Sequence, residues 1–211
     1  MSCCDHDCSA PQTDHRYRRI LWVALTVNLA MFGIEMAASI VAGSVSLRAD
    51  ALDFLGDAAN YAVALAVVGL ALHWRARAAL LKGAVMGLFG LWVAASTVHH
   101  AIAATVPHGE IMSGVGLLAL AANLCVAALL YRYRATDSQA LSVWLCTRND
   151  CIANIAVMAA GAGVWFFGTP WPDIAVAAII ACLGLSSAAR VVRQARRELR
   201  ERLTFSGVPA E

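Results

Sequence analysis

Charge is what this sequence has least of. Only 14% of its 211 residues are Asp, Glu, Lys or Arg, against about 25% in a soluble domain. That scarcity excludes a disordered chain and an ordinary soluble enzyme. A prevailing sign is missing as well: 16 basic residues face 14 acidic ones. With no global field to attract a polyanion, a nucleic-acid module is excluded too. Disulfide-forming pairs are not expected. Cys3, Cys4 and Cys8 precede the first apolar run, on the side where thiols stay reduced, and Cys125, Cys146, Cys151 and Cys182 fall inside apolar runs. No signal peptide is expected either, since the first apolar run follows Arg16, Arg18 and Arg19 and is itself long enough to span.

What is abundant is apolar surface, at 60% of residues. Crossing a bilayer takes about 20 mostly apolar residues in a helix. Six stretches qualify: Ile20–Ala42, Ala49–Leu72, Lys82–Val106, Met112–Leu130, Ala140–Phe166 and Pro172–Val192. The separators are short and include His73–Leu81, Pro107–Ile111, Tyr131–Gln139 and the turn Gly168–Pro172. Basic residues collect before the first span and after the second, fourth and sixth, with Arg190, Arg193, Arg196, Arg197, Arg200 and Arg202 in the last group. The other loops hold almost none. The sequence therefore predicts an all-α membrane protein with six transmembrane helices and both termini cytoplasmic. Its parts are a cytoplasmic tail over 1–18, a six-span domain over 19–192 and a basic extension over 193–211, a solvated end of the sixth helix lying near anionic headgroups.

The informative residues are those that resist the hydropathy, because a charge at the bilayer centre costs at least about 2.5–3.5 kcal/mol. Asp53 and Asp57 are four apart in the second span, on one helix face, and Asp50 and Asn60 extend the stripe. Two carboxylates so close need a cation or a shared proton. The fifth span repeats the period with Cys146, Asp150 and Asn154. If the stripes face each other, Asp53, Asp57, Cys146 and Asp150 surround one point. Three carboxylates and a thiolate form a four-coordinate donor set for a divalent transition metal. Arg148 lies about 200° round the helix from Cys146 and is expected to point away, toward Glu35 or the cytoplasmic water. Asp50 is read as tethered by Arg48, Asn28 and Asn123 as interhelical hydrogen-bonding groups, and Cys125 and Cys182 as fillers.

At these residues the chain resembles the cation diffusion facilitator family of divalent-metal transporters. Members have six spans and a transport site built from a His/Asp-x-x-x-Asp pair on the second span and another on the fifth. Asp53 and Asp57 match the first pair, and Asp150 matches the end of the second, where Cys146 stands for the usual His or Asp. Asn28, Glu35, Gly43-Ser44-Val45-Ser46-Leu47, Ala49-Asp50-Ala51 and Trp171-Pro172-Asp173 also fit, and the likeness runs from about Arg18 to Leu199. The expected departures are a missing cytoplasmic metal-binding domain after the sixth span, no His-rich segment in Tyr131–Gln139, and no His/Gly/Glu segment at His73–Arg77.

The resemblance implies proton-coupled efflux of a divalent cation from the cytoplasm across the inner (plasma) membrane, with membrane lipid, metal and protons as partners and a homodimer as the assembly. Zn²⁺ suits oxygen and sulfur donors; Co²⁺, Cd²⁺, Ni²⁺ and Fe²⁺ share the preference, and Mg²⁺ does not. No resident cofactor, enzymatic activity or nucleic-acid partner is expected. Cys3, Cys4, His6 and Cys8 offer a second donor set for metal capture, with His15 nearby. His99, His100, His108 and Glu110 gather at the outer end of the third span. Two rivals exist. A lipid head-group transferase would need an Asp-Gly and an Ala-Arg at set distances, whereas Asp57 is followed by Ala58-Ala59. A non-transporting membrane metal sensor, or a partner subunit of a transporter, is the alternative reading. A dimer would pair through small residues of the third and sixth spans.

Overall fold

Helix boundaries follow the local chemistry of the chain. In a computed structural model that describes residues 15–66, 72–132 and 138–205, six helices appear in order. They are α1 (His15–Ala42), α2 (Val45–Ala66), α3 (Leu72–Ala103), α4 (Gly109–Tyr131), α5 (Ser138–Phe167) and α6 (Trp171–Phe205). There is no strand among the described residues. Gly43 and Gly168, both at φ +65°, take the left-handed conformation that ends α1 and α5. The Gly168 N–H donates to the Val164 carbonyl at 2.8 Å.

One boundary differs from expectation. His73–Leu81 is read from the sequence as a separator, yet it lies within α3. The segment holds Arg, Ala and Leu, all strong helix formers, and no Gly or Pro to stop it. At its other end α3 stops at Ala103, ahead of Ala104 at φ +50° and Pro107. As expected, α6 runs on through the basic segment, to Phe205.

Polarity is arranged inside out. Large apolar side chains point outward, including Ile102 (81% exposed) and Trp165 (73%). Asn28, Glu35, Asp50, Asn123, Asn154 and Asp173 are buried. A bundle surrounded by hydrocarbon sorts its residues this way, because there the polar groups must be satisfied within the protein. Five helical stretches are long and apolar enough to cross a membrane: His15–Ala42, Leu80–Ala103, Gly109–Tyr131, Asp150–Phe167 and Trp171–Arg197. The exception is α2, whose 22 residues include Arg48, Asp50, Asp53 and Asp57. That helix is shielded instead, packing against α1, α3, α5 and α6.

The closest pairings are α1 with α2, α3 with α6, and α4 with α5. Small residues set the last one. A methyl on Gly161 would sit 2.8 Å from the Gly109 carbonyl oxygen and 2.6 Å from Ser113 Oγ, so the two backbones touch there. The small residues of α3 are also committed inside the chain: Gly83 lies against Val192 and Gly90 against Leu185 of α6.

Candidate metal centre

Three contacts, spaced along both helices, set α2 antiparallel against α5. Near the α2 N-terminus, Asn154 Nδ2 donates to Asp50 Oδ2 at 2.8 Å. Further along, the Asp57 and Asp150 carboxyls lie within hydrogen-bonding reach of each other. Further still, the Tyr61 hydroxyl and Thr147 Oγ1 are 2.9 Å apart and buried. The four-residue periods of the two sequences are what bring these groups to facing sides.

Asp57 and Asp150 thus face each other between α2 and α5. Asp53 stands within electrostatic reach of both. All three are partly buried, and Asp150 Oδ2 is inaccessible and receives no donor. Among the described residues, no three His, Cys, Asp or Glu side chains are placed to hold one ion. Repulsion among carboxyls of one sign opposes any tighter gathering in the chain alone. The Cys146 side chain lies outside the described residues; its backbone stands in α5 just before Thr147. The Arg148 side chain lies outside them too, as do Cys3, Cys4, His6 and Cys8 of the tail.

Lys82 of α3 was legible only as a basic residue flanking a span. Its ammonium donates to the Asn60 side-chain oxygen and sits within electrostatic reach of Asp57. The protein thereby places a cation of its own beside the acidic pair, at the Asn60 end of the stripe. Its position follows from the helical course of residues 73–81, which carries Lys82 into the bundle.

Several expected partnerships are corrected. Asp50 is not tethered by Arg48, whose guanidinium carbon lies 5.0 Å from the Trp92 ring centroid on α3. Residues two apart on a helix do not share a face, so Arg48 is turned away while Asp50 points inward. Among the described residues Asn28 makes no interhelical bond; its amide donates to Ala24 in its own helix at 2.8 Å. Asn123 does bridge helices, donating to Asn154 Oδ1 at 2.9 Å. His99 and His100 stack edge to face at 6.0 Å, while His99, His108 and Glu110 are exposed. Cys125 and Cys182 are exposed free thiols on the outer surface of the bundle, rather than interior fillers.

Asp173 has a role that its motif did not disclose. From the start of α6 its carboxylate accepts hydrogen bonds from Ser44 Oγ (2.8 Å) and from the backbone N–H groups of Val45 and Ser46 (2.9 Å each). It caps the N-terminus of α2 from another helix, which positions the helix bearing Asp53 and Asp57.

No curated protein sequence matches the chain. The cation efflux transmembrane domain does match it, over residues 21–200, and the chain belongs to the cation efflux family of membrane metal-cation transporters.

Proposed function

We propose that the protein exports a divalent transition-metal cation from the cytoplasm in exchange for protons, with Asp53, Asp57, Cys146 and Asp150 as the ligands of the transported ion. The observation that supports this most directly is the Asp57–Asp150 carboxyl pair between α2 and α5. Two anions cannot rest at that separation within an apolar bundle without a proton or a metal between them. Carboxyls and a thiol give up protons when a metal binds, so the same groups link metal occupancy to proton release. Alternating access would then carry the ion across as the helices rock about the site.

Zn²⁺ fits a mixed carboxylate–thiolate set best, and Co²⁺, Cd²⁺, Ni²⁺ and Fe²⁺ share the chemistry. In this reading α2 also crosses the membrane, making six spans with the five apolar helices, both termini face the cytoplasm, and the protein sits in the inner membrane as a homodimer. The family match and the five apolar helices support the membrane assignment. The basic residues support the orientation. With Gly83 and Gly90 packed inside the chain, a dimer would use other faces of the bundle. The tail residues Cys3, Cys4, His6 and Cys8 would collect soft or borderline metal at the cytoplasmic mouth.

The test is Zn²⁺ uptake into liposomes holding the purified protein, an internal metal indicator and an imposed pH gradient. Wild type is expected to accumulate metal against outward-moving protons. Asp57→Ala and Asp150→Ala are expected to fall to less than about a tenth of that rate, since even the outer-shell partners of a metal ligand cost about 10–100-fold when removed. Full transport by both variants would overturn the ligand assignment. Metal binding without flux in wild type would favour a sensor.

A further inference from the structure

The two ends of the acidic stripe on α2 have different neighbours. At the end nearer the helix N-terminus, Asp50 accepts from Asn154 and lies within hydrogen-bonding reach of Glu35. At the other end stands a cation. Helix α3 comes close to α2 where Gly56 has no side chain: a methyl there would sit 2.5 Å from the terminal carbon of Met86. One turn from that contact, forward on α2 and back on α3, come Asn60 and Lys82. The Lys82 ammonium donates to the Asn60 side-chain oxygen. Asn60 also lies within hydrogen-bonding reach of the Asp57 carboxyl, and Lys82 within electrostatic reach of it. Residues three apart on a helix are neighbours, so one amide serves both groups. Among the described contacts, the hydrogen bond of Lys82 goes to this neutral amide rather than to an oxygen of a proposed metal ligand.

Charge balance gives such a cation a task. Ionised Asp53, Asp57 and Asp150 around a divalent ion leave one negative charge over. A bundle surrounded by hydrocarbon tolerates that surplus poorly, and Lys82 cancels it. A thiolate at Cys146 adds one more negative charge, matched by a single proton kept among the four ligands. Arg48, the one basic residue of α2, does not share the task, since its guanidinium lies over Trp92.

We propose that Lys82 is the fixed counter-ion of the transport site: held at Asn60, outside the ligand set, it balances the ion–carboxylate cluster and so sets how tightly a divalent ion binds. The inference rests on the ligand reading above and adds a residue from α3, a helix that supplies no ligand. Lysine suits the role, because its charge is a compact point at the tip of a four-carbon stem. The ammonium repels the ion itself. It is drawn more strongly to the ligands, whose negative charge exceeds the ion's two positive ones. No covalent step is involved, and Lys82 keeps its place whether or not an ion is bound.

The test is calorimetric Zn²⁺ binding to the full chain in detergent, comparing wild type with Lys82→Gln and Lys82→Arg. Gln can still donate to Asn60 but carries no charge, whereas Arg keeps the charge. Lys82→Gln is expected to weaken Zn²⁺ binding by about tenfold or more, the scale of one charge at short range in a protein interior. Lys82→Arg is expected to retain most of the affinity. Lys82→Met is a second neutral variant should Gln fail to fold. A double-mutant cycle separates charge from packing: in an Asp53→Asn background the surplus negative charge is gone, so Lys82→Gln is expected to cost little there. Equal losses in both backgrounds, or a loss in Lys82→Arg as large as in Lys82→Gln, would reduce Lys82 to a packing role and overturn the proposal. Should Asp53→Asn bind no Zn²⁺, the Gln and Arg variants decide alone. Unchanged binding in both neutral variants, with Asp57→Ala still abolishing it, would also overturn the counter-ion while the ligand reading stands. Binding that survives both Asp57→Ala and Asp150→Ala would overturn the ligand reading and the counter-ion with it.

Discussion

Asp50 and Asp53 differ by less than one helical turn, yet they serve different neighbours. Asp50 is held by Asn154 and lies within hydrogen-bonding reach of Glu35; Asp53 stands within electrostatic reach of Asp50, Asp57 and Asp150. The spacing of Asp53, Asp57 and Asp150 exposed the candidate site in the sequence, because a four-residue period is a local property of a helix. The partner of Asp50 could not be read this way, because Glu35 lies on another helix and Arg48 was the only nearby counter-charge in the chain. Cys146 is where metal choice is decided at this scale. Replacing its sulfur with a hydroxyl removes the one soft donor, so Cys146→Ser is expected to lower transport of Cd²⁺ relative to Zn²⁺ and Co²⁺ by about tenfold. Competition assays with the three metals measure it, and an unchanged ranking would remove Cys146 from the ligand set.

Among the elements, α2 has the most to lose from misplacement. It bears Asp50, Asp53 and Asp57, and its N-terminus is held by the Asp173 carboxylate of α6 through three hydrogen bonds. Ser44 Oγ in turn accepts from the Leu47 N–H at 3.1 Å. Removing the carboxylate leaves the first N–H groups of α2 unpaired in an apolar setting. Asp173→Ala is therefore expected to destabilise the protein by roughly 2–4 kcal/mol, the cost of losing a cap made of charge-assisted bonds. Unfolding in detergent with added denaturant measures it, and a change below about 0.5 kcal/mol would show the cap to be dispensable. Helix number and rough extent were legible from the apolar runs. The boundary between α2 and α3 was not, because hydropathy falls at His73–Arg77 while helix propensity does not. The cap was also hidden, since Ser44 and Asp173 stand 129 residues apart in the chain.

At the scale of the whole molecule, apolar surface faces outward and polar groups gather within. That arrangement makes α2 tolerable: too charged to face lipid, it is enclosed by its neighbours. The orientation proposed from the basic residues has a direct check. A fluorescent protein fused after Glu211 is expected to fluoresce in a bacterial host, and alkaline phosphatase inserted after His108 is expected to be active. The reverse pattern would place the termini outside and turn the proposed export into uptake.

The sequence alone determined that the chain is helical, that it belongs in a membrane, and that acidic stripes recur at four-residue spacing on its second and fifth spans. Hydropathy and helical period are local quantities, so they survive without knowledge of the fold. Tertiary structure decided which acid meets which. It set Asp57 against Asp150, Glu35 against Asp50, Arg48 over Trp92 and Asp173 under the start of α2. Those pairings depend on the rotation and depth of each helix against its neighbours, which close contacts such as that of Gly109 with Gly161 help to fix. No periodicity within a single helix encodes them.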